Sequence, residues 1–390
     1  MISAVLMLMT SLVLTNPAAA NSRAMEKMNT MALLNMYGWR SEEHRITTED
    51  GYILPLHRIV SKKSKNKKPP VLLQHGILGA SDMWILRGSD KDLPFVLAKA
   101  GYDVWLGNVR GNNYCKTHVT MNDTMDDFWD YSFHEMGYYD VPAMIDHILA
   151  TTGHKQLFYI GHSMGTTMFY TMCVSRPEYN NKIRGMFALA PVAYMSQFPA
   201  FLKQMAKYRY QLWEMFIKQG IHQVWPKMPW LSTVEANLCR DGSPLQSVCV
   251  EIVFSITGWD YKQFNKSMLP TMIEHLSSTN PRTLAHYAQN VDSGRFQWFD
   301  YGPTNNLKVY GNTEAPEYDL SLVTAPVSIH YSTNDNLSSE KDVMKIVKKL
   351  PNVIGVFKVP YKMFNHIDYL WGNNAKTILY KDIIHLMNRL

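Results

Sequence analysis

At 390 residues the chain exceeds what one simple core usually holds, so a large domain carrying an insertion is expected. Its 46% hydrophobic and 18% charged residues describe a globular, rather apolar chain, and 10 Trp, 22 Tyr and 25 Met suggest apolar surface beyond a packed core. The net charge of +6 is partly local, because five lysines fall between Ser61 and Lys68, and no interleaving of basic and aromatic residues points to nucleic acid.

The first twenty residues read as a targeting segment. Ile2 to Leu14 is mostly apolar but short for a bilayer span, and Ala18-Ala19-Ala20 offers a small-residue cleavage site. A cleaved signal peptide over 1–20 implies an oxidising destination, with an uncleaved anchor as the alternative. No later segment is apolar for long enough to be a transmembrane helix. Two sequons, at Asn122 and Asn265, fit this route as glycosylation sites. A third, at Asn336, sits beside a candidate catalytic acid.

From there strands and helices alternate. His44 to Val60 predicts a hairpin around Asp50-Gly51, and the lysine run that follows suits a solvated loop. Val71 to Gln74 predicts a buried strand, Pro94 to Ala100 a helix stopped by Gly101, and Tyr102 to Leu106 the next strand. Asp140 to Thr151 predicts a helix that tolerates Pro142 in its first turn. Strands follow at Lys155–Ile160, Ile183–Leu189, Ala325–Tyr331 and Val353–Val359, and Ala375–Leu390 closes the chain as an amphipathic helix. This alternation implies an α/β fold with a mostly parallel sheet wrapped by helices.

The stretch from about Met195 to Tyr318 breaks the rhythm. It is helical and rich in Met, Phe, Trp and Tyr, and it carries Trp225-Pro226-Lys227-Met228-Pro229-Trp230. It falls between the sixth and seventh core strands, where a cap can be inserted without disturbing the sheet. Such a cap either packs an ordinary core of its own or covers an apolar cleft, and the aromatic and Met supply favours the cover. The chain thus divides into a core over 21–194, a helical cap over 195–318 and a second core part over 319–390.

The chemistry centres on Gly161-His162-Ser163-Met164-Gly165. An apolar β-prone run precedes it and a helical pattern follows, the context of a nucleophile elbow that lifts a serine hydroxyl above the sheet. Glycines two before and two after the serine fit, because a Cβ there would collide with the neighbouring strand or helix. The plain alternative is a tight strand–helix turn whose serine only caps the helix. A serine nucleophile needs a base to take its proton and a carboxylate to hold that base's tautomer. In this fold the order along the chain is Ser, acid, His. Asp335 and His366 follow the last two strands at their carboxyl ends, where sites in open α/β sheets form. Asp368 stands two residues from His366, which makes it a poor partner for that ring. His330 falls inside a strand and His385 inside the last helix, and both read as structural. Two backbone donors are needed for the tetrahedral oxyanion. Met164, after the nucleophile, supplies one, and Ile77 in His75-Gly76-Ile77 the other.

Taken together, Gln74-His75-Gly76-Ile77-Leu78, Gly101 to Asn108, Gly161 to Thr167, Ala188 to Ala193 and Asn365-His366-Ile367-Asp368 resemble the acid lipase family, the gastric and lysosomal acid lipases with their invertebrate relatives. The resemblance runs from about Asn35 to the C-terminus. It implies an α/β-hydrolase core with a cap and lid over an acyl-binding cleft, acting on triacylglycerols or cholesteryl esters at an emulsion or membrane surface. It also implies Ser163, Asp335 and His366 as the triad, with Ile77 and Met164 as oxyanion donors. Mammalian members usually carry Gln where Met164 stands, a change that a backbone donor survives. Of the four cysteines, Cys239 and Cys249 lie where this family carries a disulfide, Cys173 reads as a small buried hydrophobe, and Cys115 is left over. No Cys/His cluster has zinc spacing and no Gly-rich phosphate loop is present, so neither metal nor cofactor is expected. An intact serine and histidine argue against a non-enzymatic lipid carrier on the same fold, and a serine in place of aspartate argues against an epoxide hydrolase. Secretion is the expected destination and the lysosome the alternative; the sequence leaves the oligomeric state open.

Overall fold

The computed structural model describes Met25 and residues 27–60, 68–224 and 238–390. The proposed signal segment, most of the lysine run, and Trp225, Met228, Trp230 and Leu231 of the proposed lid lie outside the described residues.

A nine-stranded sheet forms the centre. Its strands are β1 (Ser41–Thr47), β2 (Tyr52–Ile59), β3 (Val71–Gln74), β4 (Val104–Leu106), the short β5 (Thr117–His118), β6 (Leu157–His162), β7 (Ile183–Leu189), β8 (Val327–Tyr331) and β9 (Val353–Lys358). The order across the sheet is β1-β2-β4-β3-β6-β7-β8-β9, with β5 paired to β2. From β4 to β9 all neighbours run parallel, and β1 and β2 add an antiparallel edge. The hairpin turns at Asp50-Gly51, and Gly51 takes φ +99°, a conformation that side chains with a Cβ resist. In β3 and β6 every residue is buried, because helices cover both faces and leave no reason for polar alternation.

The first helices are α1 (Thr30–Met36), α2 (Leu93–Lys99), α3 (Val141–Thr152) and α4 (Met164–Ser175). The turn before α3 presses on α4, and a Cβ on Gly137 would lie only 2.7 Å from the Met168 carbonyl oxygen. Apolar side chains fill both faces of the sheet. On one face Trp105, Tyr159, Phe169 and Tyr170 are fully buried, and on the other Leu73, Ile160, Phe187 and Tyr369 are.

Between β7 and β8 the chain builds helices: α5 (Ala200–Ala206), α6 (Arg209–Lys218), α7 (Gln246–Thr257), α8 (Leu269–Glu274), α9 (Pro281–Ser293) and α10 (Pro303–Tyr310). Among the described residues of this stretch, β structure is limited to two isolated bridges, Val224–Thr279 and Gln297–Glu317. Cys239 and Cys249 form a disulfide, while Cys115 and Cys173 are free and buried. Then follow α11 (Glu340–Lys349) and α12 (Lys381–Met387). The expected helix over Ala375–Leu390 is present as one helical run from Ala375 to Met387, with a π-helical turn at Lys376–Tyr380 passing directly into α12. Periodicity locates the apolar face but does not report which carbonyl each amide bonds. Among the described residues no helix is long and apolar enough to cross a membrane.

Candidate active site

β6 delivers its last residue, His162, to the sheet's carboxyl edge, and α4 begins at Met164. Ser163 between them takes φ +54°, ψ −119°, which is strained for a residue with a side chain. The glycines explain how the chain survives this turn. A Cβ on Gly161 would sit 2.8 Å from the Gly165 carbonyl carbon, and one on Gly165 only 2.3 Å from the Gln74 carbonyl oxygen. The turn is held from below, where the Ser163 amide donates to the Leu189 carbonyl at 3.1 Å.

The Ser163 hydroxyl lies 2.8 Å from His366 Nε2. The opposite nitrogen, Nδ1, is 2.9 Å from both carboxylate oxygens of Asp335. Asp335 Oδ1 in turn accepts the amides of Leu337 (2.9 Å) and Ser338 (2.8 Å), which fix the carboxylate in place. All three residues are buried. The carboxylate sets the imidazole so that Nδ1 carries hydrogen and Nε2 faces the hydroxyl with its lone pair, the arrangement that takes a proton from serine as it attacks a carbonyl.

The loop after β3 approaches the serine closely: a Cβ on Gly76 would lie 3.0 Å from Ser163 Cβ. Ile77 follows at once and is half-buried, and Leu78 takes φ +56° as the loop turns away. Ile77 and Met164 therefore flank the serine from two directions. His75 has its ring bonded to the Gly76 carbonyl at 2.8 Å and to the Asn112 amide at 3.3 Å. Burial pushes the His75 imidazole down to about 4, so it stays neutral. His162, beside the serine, is pushed to about 3 by burial and by the nearby His366, and its Nε2 meets the His366 carbonyl oxygen at 2.8 Å. That contact holds the backbone of the base and was not legible in the Gly-x-Ser-x-Gly pattern.

The other candidates fall elsewhere. His330 is buried in β8 with Ser328 at 2.9 Å and Phe357 stacked on it, and His385 is exposed on α12. Asp368 does not touch His366; its Oδ2 accepts the Asn365 amide at 2.7 Å. Asn122 and Asn265 are exposed, whereas Asn336 is half-buried and its amide reaches the Ser255 carbonyl at 3.4 Å. Among the described residues no group of His, Cys, Asp and Glu could hold a metal ion.

Next to α4 the helices between β7 and β8 line a half-open apolar pocket of about 430 Å³ whose walls include Phe198, Met205, Trp213, Phe216, Leu284 and Val291. Tyr287, also in its wall, donates its hydroxyl to Thr167 Oγ1 at 3.0 Å, one helical turn beyond Ser163.

Two family models match the chain: "Partial alpha/beta-hydrolase lipase region" over residues 30–88 and "alpha/beta hydrolase fold" over residues 69–224. Lipase 1 of Drosophila melanogaster is 39% identical over 361 residues, covering 92% of this chain and 79% of its own length. Gastric triacylglycerol lipase of Bos taurus is 36% identical over 366 residues, covering 92% of this chain and 91% of its own. Among solved structures, a thermophilic esterase from Thermogutta terrifontis shares the fold at 13% identity with a TM-score of 0.52, covering 89% of this chain and 98% of its own. With the fold, these matches and the resemblance in its motifs, the chain belongs to the acid lipase family of α/β-hydrolases, whose members are carboxylic ester hydrolases.

Proposed function

We propose that this protein hydrolyses carboxylic esters of lipids, triacylglycerols or cholesteryl esters, through an acyl-enzyme on Ser163. The observation that carries the reading is the buried chain of contacts from Ser163 through His366 to Asp335. In its neutral form His366 Nε2 takes the hydroxyl proton as Oγ attacks the ester carbonyl. The imidazolium that forms is stabilised by Asp335 and returns the proton to the leaving alcohol. The amides of Ile77 and Met164 stabilise the oxyanion. Water then repeats the cycle on the acyl-enzyme and frees the fatty acid. The apolar pocket beside α4 supports an acyl chain as the hydrophobic part of the substrate.

Residues 195–318 act as the cap in this reading, and the segment around 224–250 as a lid that opens at a lipid surface. The protein is exported after cleavage near Ala20, with secretion favoured over lysosomal delivery, and carries glycans on Asn122 and Asn265.

Purified protein given emulsified triolein, cholesteryl oleate and a short-chain ester should release fatty acid from at least one of them. Ser163→Ala should lower turnover roughly 10⁴- to 10⁶-fold with an unchanged unfolding midpoint. Near wild-type turnover in that variant would place the nucleophile elsewhere.

A further inference from the structure

The end of α7 is wedged between the two loops that carry Asp335 and His366. Gly258 takes φ +108°, and a Cβ there would lie 1.9 Å from the Asn334 carbonyl oxygen, so the chain passes only without a side chain. The Thr257 carbonyl accepts the amide of His366 at 3.1 Å and that of Asn336 at 3.5 Å. The Gly258 carbonyl accepts from Asn365 Nδ2 at 2.9 Å.

Just beyond, Asp260 from the insertion meets Asp368 from the His366 loop, and both are buried, at 2% and 1% exposure. Asp260 Oδ1 accepts the amides of Lys262 (3.0 Å) and Gln263 (3.1 Å) and the hydroxyl of Tyr361 (3.2 Å). Asp368 Oδ2 accepts the Asn365 amide. The remaining oxygens, Asp260 Oδ2 and Asp368 Oδ1, are both buried and without a hydrogen-bond donor, and the two carboxyl groups lie near enough to act on one another. Two facing carboxylates repel, whereas one proton between them makes a short charge-assisted O–H···O bond.

We propose that Asp260 and Asp368 share one proton, and that this bond fastens the His366 loop to the insertion, making both aspartates positioning residues for the reaction. The inference rests on reading His366 as the base.

The surroundings favour the proton. Asp335 adds a further negative charge, Tyr361, Tyr369 and Tyr380 are held neutral by burial, and Arg87 is ion-paired with Asp92 at 3.5 Å and donates to the Gly372 carbonyl. Lys262 reaches Asp260 through its backbone amide, and its exposed side chain leaves the pair uncompensated. Burial first, then the charges of Asp260 and Asp335, raise Asp368 far above the usual carboxylate range, up to about 9, against the pull of the Asn365 amide. The folded pair therefore keeps its proton above the unfolded value of about 3.9, and loses it as the pH climbs toward the raised one. The fastener is whole in acid and opens in alkali.

An asparagine in place of either aspartate would donate a permanent N–H to the remaining carboxylate. Turnover of a soluble short-chain ester, with kcat and KM separated from pH 4 up to about 10.5, should be compared in wild type, Asp260→Asn, Asp368→Asn and Asp260→Ala. Wild-type kcat should fall on the alkaline side with KM little changed. The asparagine variants should carry that fall a unit or more higher in pH, and the alanine variant should lose roughly tenfold in kcat as His366 drifts. If Asp260→Ala does not fold, the pH dependence of the unfolding midpoint in Asp260→Asn decides, and it should be flatter than wild type above pH 6. Alkaline limbs and midpoint curves of the asparagine variants that superimpose on wild type would overturn the shared proton. An active Ser163→Ala, by contrast, would overturn the reading of the base and leave the midpoint comparison standing.

Discussion

At the level of single residues, glycines do the most to make Ser163 reachable. Gly165 lies against the Gln74 carbonyl so closely that even a methyl group must push α4 away from β3. Gly165→Ala should therefore lower stability by about 1–3 kcal/mol, as overpacking does elsewhere, and should also displace the hydroxyl from His366. Chemical denaturation and ester turnover would both register the change; a variant as stable and active as wild type would show that the elbow can relax. This part of the site was legible in the sequence because the spacing of two glycines about a serine follows from the steric demands of a buried strand turning directly into a helix. Asp335 and His366 were legible because each follows a strand of the sheet, the buried β8 and the half-exposed edge strand β9. The clamp of Asn365 on Gly258 and the contact of His162 with the His366 carbonyl were not, since residues 107 and 204 positions apart meet only once the fold exists.

Among the elements, most boundaries came through within two residues. β3 and β7 run over the predicted residues, and α3 is displaced by a single position. The final helix begins at the expected Ala375 and differs in the π turn at Lys376–Tyr380, which periodicity does not report. The proposed lid is framed by described anchors: Val224 exchanges two backbone hydrogen bonds with Thr279, and the chain returns at the Cys239–Cys249 disulfide. Between them, Trp225, Met228, Trp230 and Leu231 carry apolar area that gains roughly 25 cal/mol per Å² on leaving water, whether into a cleft or into lipid. Two comparable refuges are what a population shift requires. Trp230→Ser should thus lose several-fold more activity on emulsified triglyceride than on a soluble short-chain ester. Equal losses on both, with a lowered unfolding midpoint, would mean that the tryptophan packs permanently in the insertion.

For the whole molecule, proton uptake on folding has opposite signs on the two sides of neutrality. His75, His162 and His330 are neutral when buried, at about 4, 3 and 3, so the unfolded chain binds more protons below its ordinary histidine value of about 6.5. Stability is then lost as the pH falls from there toward 3. Asp368 works the other way, and its share of stability declines as the pH rises toward about 9. Unfolding midpoints measured from pH 3 to 9 should pass through a maximum near mildly acidic pH, and a monotonic rise to pH 9 would contradict this balance. The wedge of Gly258 under the Asn334 carbonyl has a further consequence, for recombination between relatives. Exchanging the insertion at its obvious borders, near 195 and 318, would part 257–260 from the loops at 334–336 and 365–368 that were shaped around it. Chimeras should regain turnover only when the three segments are inherited from one parent, which makes them a single unit of exchange scattered over three places in the chain.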